Sequence, residues 1–75
     1  MAEARAQVAQ LELGRRTVTV TVVRRADGES WCELAASWSR RDGQPVTDTT
    51  RLRPRQITAL VAALEAARAR LGGSP

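Results

Sequence analysis

Arginine supplies all of the basic chemistry of this chain: its 12 cationic residues are all Arg, and Lys is absent. The guanidinium group is planar, permanently charged and matched in shape to phosphate, so its placement is informative about a partner. Most of these residues fall in three adjacent pairs and one alternating cluster. They are Arg15-Arg16, Arg24-Arg25, Arg40-Arg41, and Arg51, Arg53 and Arg55. With a formal charge of +4 and a pI of about 11.3, the chain favours an anionic partner, nucleic acid before a membrane surface. The codon usage of a GC-rich genome is the alternative source of this composition.

Trp31 and Trp38 are the only aromatic residues of the chain. A base stacked on an aromatic side chain contributes about 1–3 kcal/mol to single-strand binding, so one or two indoles matter here. We expect Trp31, and after it Trp38, to stack bases. Two alternatives stay open, namely burial of Trp38 against a helix and packing of Trp31 in a dimer interface.

Residues that usually carry out catalysis are scarce. The chain has no His, Lys or Tyr, which removes the usual general bases and the Schiff-base amine. The 8 acidic residues are dispersed, and no spacing typical of a metal, dinucleotide or phosphate-loop site occurs. We therefore expect a protein that is not an enzyme and that uses no cofactor or metal.

A single cysteine, Cys32, excludes an internal disulfide and suits a reducing compartment. Its position in an apolar strand pattern predicts a buried, unreactive thiol. Residues 1–10 contain charges and lack the apolar stretch of a signal peptide, and no apolar run approaches the ~20 residues of a membrane span. We expect a cytoplasmic protein, associated with the nucleoid if it binds DNA.

Strands must position these side chains, and the clearest is residues 17–23, where Thr and Val alternate and every residue is β-branched. The alternation predicts a sheet with one apolar face and one hydroxyl-lined face. Residues 8–13 are predicted to form a preceding strand, with residues 2–10 as a short helix being the alternative. Asp27-Gly28 predicts a hairpin with a primed turn, and Asp42-Gly43 predicts a second turn.

The rest of the chain predicts two more strands and one helix. Residues 31–40 and 46–52 form the strands, and Pro54 begins the helix. An apolar stripe follows helical spacing along it, consisting of Ile57, Leu60, Val61, Leu64 and Leu71. The expected fold is α+β, a four-stranded antiparallel meander followed by one C-terminal amphipathic helix. Residues 1–7 are expected to be a flexible segment, residues 8–71 the single domain and residues 72–75 a disordered tail.

Alternate turns of such a meander lie at the same end of the sheet, which predicts where the arginines meet. Arg15 and Arg16 should meet Arg40 and Arg41 at one end. At the other end Arg24 and Arg25 should meet the last residues of strand four, Arg51 and Arg53. Two basic rims would then flank the hydroxyl-lined face, and a single nucleic-acid strand could lie across it.

From Gly28 onward the chain resembles the positive-cofactor-four family of transcriptional coactivators. The matching residues are Cys32-Glu33-Leu34, Trp38, Leu52-Arg53-Pro54-Arg55-Gln56, Leu60 and Leu64. The resemblance implies a curved four-stranded sheet, a dimer formed through the helix and its neighbouring strand, and a basic β surface that grips unpaired DNA. The expected function is thus single-stranded nucleic-acid binding by a homodimer, DNA before RNA, in transcription, replication or repair.

Two other functions are compatible with the sequence. A protein-interaction module, such as a small regulatory or accessory subunit, would dock a partner through the sheet face or the Ala-rich helix. Double-stranded RNA binding would need residues 2–10 to be helical, giving the order αβββα.

Overall fold

The structure, a computed structural model, describes residues 3–72 and contains one sheet and one helix. The elements are β1 (Glu3–Leu13), β2 (Arg16–Arg25), β3 (Ser30–Ser39), β4 (Pro45–Leu52) and α1 (Pro54–Arg70). All neighbouring strands are antiparallel and the order in the sheet is β1-β2-β3-β4. The α+β meander with a C-terminal helix is therefore confirmed.

The first strand is longer than predicted. β1 begins at Glu3 instead of residue 8, because Glu3 pairs with Arg25 and the two strands remain paired along the length of β2. One bulge, between Gln7 and Ala9, absorbs the extra residue Val8. The helical alternative for residues 2–10 is thus wrong over the described part, and the order αβββα, which requires that helix, is wrong for the same reason. Of the expected flexible segment, residues 3–7 are strand; residues 1–2 and 73–75 lie outside the described residues.

The hairpin between β2 and β3 closes with Gly28 in the left-handed region, at φ 91°. The Gly28 N–H donates to the Arg25 carbonyl over 3.1 Å, and Arg25 N–H donates to the Glu29 carbonyl over 2.8 Å. Only glycines have positive φ in the described chain, so Asp27 does not adopt the conformation of a primed Asp-Gly turn. Its carboxylate instead accepts the Glu29 N–H at 3.0 Å, which fixes the loop. The turn prediction is confirmed, whereas its primed type is wrong.

Cross-strand pairing sorts the side chains onto two faces of the sheet. Thr17, Thr19 and Thr21 pair with Ser37, Ala35 and Glu33, and Val23 pairs with Trp31 on the same side. We call this side the Thr face. Val18, Val20 and Val22 pair with Ala36, Leu34 and Cys32 on the opposite side, the apolar face, which also carries Trp38 opposite Val46.

Within residues 3–72, two side chains are buried. Among the described residues Val23 is fully buried and Trp31 is 5% exposed, and both lie on the Thr face. The helix packs beside the sheet against β4 and does not cover it, so that the molecule measures only 15 Å along its shortest axis. The alternative in which Trp38 is buried against the helix is therefore wrong: its indole is half-buried at the far end of β3.

The helix begins as predicted at Pro54, but its first turn has a cap that the sequence analysis missed. The side-chain carbonyl of Gln56 accepts the Arg53 N–H at 2.8 Å, as in the second half of a capping box. Ile57 is half-buried near β4, while the rest of the apolar stripe faces solvent. Leu64, for example, is 60% exposed. The stripe lacks a covering surface within the described chain.

The accessible surface area and the radius of gyration show the same lack of burial quantitatively. A compact monomer of 8.2 kDa has an accessible surface of about 4,500 Å² and a radius of gyration of about 11 Å for 75 residues. This chain exposes 6334 Å² and has a radius of gyration of 15.1 Å. It therefore exposes about 1,800 Å² more than a compact chain of its mass. A standard protein interface buries roughly 800 Å² per partner, so the excess is large enough for an obligate interface.

Replacing Trp31 with Ala should lower the free energy of unfolding by about 3 kcal/mol, since the indole forms half of the buried core together with Val23. Urea denaturation followed by circular dichroism at a fixed protein concentration measures the effect. Trp38→Ala is the matched control, because it removes the same atoms from a half-buried position. Equal losses for the two variants would contradict the assignment of Trp31 to the core.

Candidate nucleic-acid interface

The meander brings the arginines together at two ends of the sheet. Arg15, Arg16, Arg40 and Arg41 lie where the β1–β2 and β3–β4 turns meet, and we call this the turn end. Arg24, Arg25, Arg51 and Arg53 lie at the β2–β3 turn and at the start of the helix, and we call this the helix end. This grouping agrees with the sequence expectation.

At the helix end, arginines stand on both faces of the sheet, which the sequence expectation did not include. Arg25 pairs with Glu3 and Arg51 with Glu33, so both stand on the Thr face. Arg16 and Arg24 occupy the alternate positions of the same strand and stand on the apolar face. The expectation that all the pairs rim the Thr face is therefore wrong, because adjacent residues of a strand point to opposite sides.

At the turn end, the Arg16 guanidinium lies over the ring of Trp38, with its Cζ 4.8 Å from the ring centroid. Both side chains stand on the apolar face, at neighbouring positions of β2 and β3. The contact is a cation–π stack at a surface that the helix leaves open. Arg16 is exposed and Trp38 is half-buried, so part of the indole remains accessible to a ligand.

At the helix end, Trp31 is held in a tighter arrangement. The Arg51 guanidinium lies over the indole at 4.3 Å from the centroid, and that of Arg53 lies 6.0 Å from it. The indole Nε1–H donates to the Glu33 carboxylate at 3.1 Å, and Glu33 also pairs with Arg5. This hydrogen bond from Trp31, followed by the charges of Arg5 and Arg51, lowers the pKa of Glu33 against the opposing effect of desolvation. Trp31 is buried beneath side chains of its own chain, so a base can stack on it only if Arg51 moves.

The two ends differ in how far their charge is neutralised. At the helix end, Arg25 lies 3.8 Å from the Asp27 carboxylate, and Arg53 lies 3.6 Å from that of Glu29. Arg53 also donates to the Ser30 carbonyl at 3.2 Å. At the turn end, none of the four guanidinium groups forms an ion pair with a carboxylate of residues 3–72. The two carboxylates at this end, Glu12 and Asp42, accept hydrogen bonds from the Thr17 hydroxyl and the Gln44 N–H instead, so the four guanidinium groups keep no carboxylate contact within residues 3–72.

Arg5 and Glu33 take part in the site although the sequence analysis did not select them. Arg5 lies on the Thr face because β1 begins at Glu3. It is opposite Val23, which in turn pairs with Trp31 on the other side of β2. A hydrogen bond to Glu3, 3.0 Å away, and the carboxylate of Glu33 raise the pKa of Arg5. The alternation of side chains along a strand could have identified Arg5, because Arg5, Gln7 and the Thr positions lie on the same face of the sheet once β1 is extended to Glu3.

Three other features bear on function: metal ligands, the thiol of Cys32 and membrane-spanning segments. Within the described part of the chain, no group of three His, Cys, Asp or Glu residues could hold a metal ion. Cys32 is a free, half-buried thiol on the wall of a small apolar recess between the apolar face and the start of the helix. No helix formed by residues 3–72 has both the length and the apolar character needed to span a bilayer.

Comparison with known proteins gave no match of any kind. No family model matches the chain. Neither the curated proteins nor the solved structures contain a significant match to it.

Proposed function

We propose that this protein is a dimeric, non-enzymatic, single-stranded DNA-binding protein that acts as an accessory in transcription, replication or repair in the cytoplasm. The observation that carries the proposal is the turn end: a stack of the exposed Arg16 on the half-buried Trp38 adjoins Arg15, Arg40 and Arg41, and none of the four cations is paired with a carboxylate in residues 3–72. A cationic border beside an accessible indole suits a flexible strand that offers phosphates and unstacked bases.

The contacts divide into two kinds. Guanidinium groups neutralise backbone phosphates and release counterions, which gives affinity without sequence preference. The Trp38 indole offers a stacking surface that accepts any base. The resemblance to the positive-cofactor-four family supports the same function, because that family grips unpaired DNA on a basic β surface.

The proposed function includes pairing with a second copy of the chain. The exposed stripe of α1 and the excess of about 1,800 Å² of surface per chain support a homodimer. In such a dimer two turn ends would be joined in one particle, so that one DNA strand could engage both. Linked sites raise the apparent affinity without any new type of contact.

Titration of a fluorescent oligo-dT at two ionic strengths, with Trp emission as a second signal, tests DNA binding. We expect Trp38→Ala to weaken binding by about 1–2 kcal/mol and to leave the salt dependence unchanged, because stacking involves no counterion release. Duplex DNA of the same sequence should bind more weakly. Undetectable binding of the single strand at low salt would eliminate the proposed function.

A second candidate is a protein-interaction module, and the exposed apolar stripe of α1 favours it. Under this function the stripe docks an unrelated partner, and the arginines only keep the surface soluble. Removing the charges of Arg24 and Arg25 then leaves docking unchanged, whereas it weakens oligonucleotide binding if the chain binds DNA. The two functions are thus distinguished by one pair of substitutions.

A further inference from the structure

The Thr face at the helix end carries a cluster in which a carboxylate is surrounded by cationic and N–H donors. Glu33 accepts the Trp31 indole N–H at 3.1 Å and pairs with Arg5 from β1. Arg51, opposite Glu33 in the β3–β4 register, covers the Trp31 ring and adds a second positive charge beside the carboxylate. The Glu33 side chain is 14% exposed, while those of its ion-pair partner Arg5 and of Glu3 are about half exposed.

This set of donors is the kind that binds a phosphate oxygen. The Arg5 guanidinium and the Trp31 indole N–H converge on one anionic group, with the positive charge of Arg51 nearby, and the anion they hold belongs to the chain itself. From this we propose that Arg5, Arg51 and Trp31 form a second phosphate subsite for the DNA backbone, and that the Glu33 carboxylate occupies it in the free protein. The inference rests on the proposed function, since it names an additional contact of the same sheet with the same strand.

The occupied subsite has a consequence for affinity. A backbone phosphate must displace the Glu33 carboxylate to occupy the position between Arg5, Arg51 and Trp31, and the two anions repel each other. Glu33 therefore lowers the affinity at the helix end, while the turn end binds phosphate without such competition. Binding is then weaker and more readily reversed than the number of Arg residues indicates.

Glu33→Gln tests the subsite with little structural change. The Gln carbonyl can still accept the Trp31 N–H, and Arg5 stays exposed beside Glu3, so no buried charge is left unpaired. We expect affinity for oligo-dT to rise roughly fivefold, from one additional phosphate contact, and the salt slope to steepen by about 0.7. Glu65→Gln, which removes the carboxylate beside Arg68 on the helix, is the control with the same change in net charge.

The double variant Arg5→Gln/Glu33→Gln should lose the gain, because the freed guanidinium is what contacts the phosphate. If Glu33→Gln improves binding no more than Glu65→Gln does, the subsite does not exist. Retention of the whole gain in the double variant would overturn the role of Arg5. Circular dichroism of each variant confirms that the sheet is intact.

A titration without nucleic acid separates this inference from the proposed function. In a Trp38→Phe background, Trp31 is the only indole, and inorganic tripolyphosphate serves as the probe. We expect it to change Trp31 emission in Glu33→Gln and not in the parent at the same concentration. A response to tripolyphosphate with no binding of any oligonucleotide supports the subsite and refutes the DNA function. No response in Glu33→Gln refutes the subsite, whatever the oligonucleotide result.

Discussion

A solution mass of twice 8.2 kDa is the result we expect from sedimentation equilibrium at micromolar concentration. The reason is burial: only Val23 and Trp31 are buried in the described chain, and the surface exceeds that of a compact monomer by about 1,800 Å². Covering this excess on two chains falls in the range of obligate dimers. In the proposed dimer, burial at the interface would add to a core that is small for the conformational entropy lost on folding.

The stripe of α1 provides the most direct variant. Leu64→Glu places a charge in the centre of the exposed apolar surface, and burying an unpaired carboxylate in an interface costs several kcal/mol. We expect it to abolish the dimer and to unfold the chain at concentrations at which the parent is folded. Thermal unfolding of the parent should shift to higher temperature as its concentration is raised, and circular dichroism measures both effects.

Ala66→Glu is the matched control, because Ala66 lies about half a turn from Leu64 on the opposite side of the helix and is also exposed. It should leave the mass and the unfolding temperature nearly unchanged. A Leu64→Glu protein that stays folded as a stable monomer would show that the sheet and helix need no second copy. Equal effects of the two Glu substitutions would instead point to helix propensity as the cause.

The second large effect is expected at the turn end. Replacing its four arginines with Gln should weaken binding to oligo-dT by roughly a thousandfold at low salt, from about 1 kcal/mol for each phosphate contact. The salt slope should fall by about 2.8, since each phosphate of a single strand that is neutralised contributes ~0.7. The substituted residues are Arg15, Arg16, Arg40 and Arg41. Fluorescence anisotropy at a series of salt concentrations gives both quantities.

A control with the same change in net charge separates local contacts from the general field. Four other arginines have partners or lie on the helix: Arg25 beside Asp27, Arg53 beside Glu29, Arg68 beside Glu65, and Arg70 in the last turn. Changing these four to Gln should weaken binding only severalfold, because exposed charges act at long range mainly through a screened field. Comparable losses for the two sets would show that net charge, and not the turn end, determines affinity.

Much of the fold could be predicted from the sequence because local signals agree with one another there. The alternation of Thr and Val over residues 17–23 and Pro54 at the helix start each specify a local conformation that the structure contains, and the Asp-Gly pairs specify the positions of the turns although not the type of the first one. The start of β1 could not be predicted in this way. Residues 3–7 are stabilised as a strand by pairing with β2, from Glu3 opposite Arg25 onward, and their own composition carries no strand signal.

The candidate site was predicted less completely, for two physical reasons. Parity assigned Trp31 to the Thr face correctly, but its burial depends on Arg51 reaching across from β4, which is a matter of side-chain packing. An apolar helix stripe shows that one side avoids water and says nothing about which surface it meets. For this reason the sequence leaves burial of Trp38 against the helix open as an alternative, whereas α1 lies beside β4 at the other end of the strand.

The thinness of the molecule, 15 Å along its shortest axis, would link its abundance in the cell to its folding if the proposed dimer forms. When two chains must meet to bury their apolar surfaces, the folded fraction rises with the amount synthesised, and surplus single chains remain open to proteases. Dilution, for instance at cell division or when expression stops, then shortens the lifetime of the protein. Its supply would in this way set both the number of active particles and the rate at which they are removed.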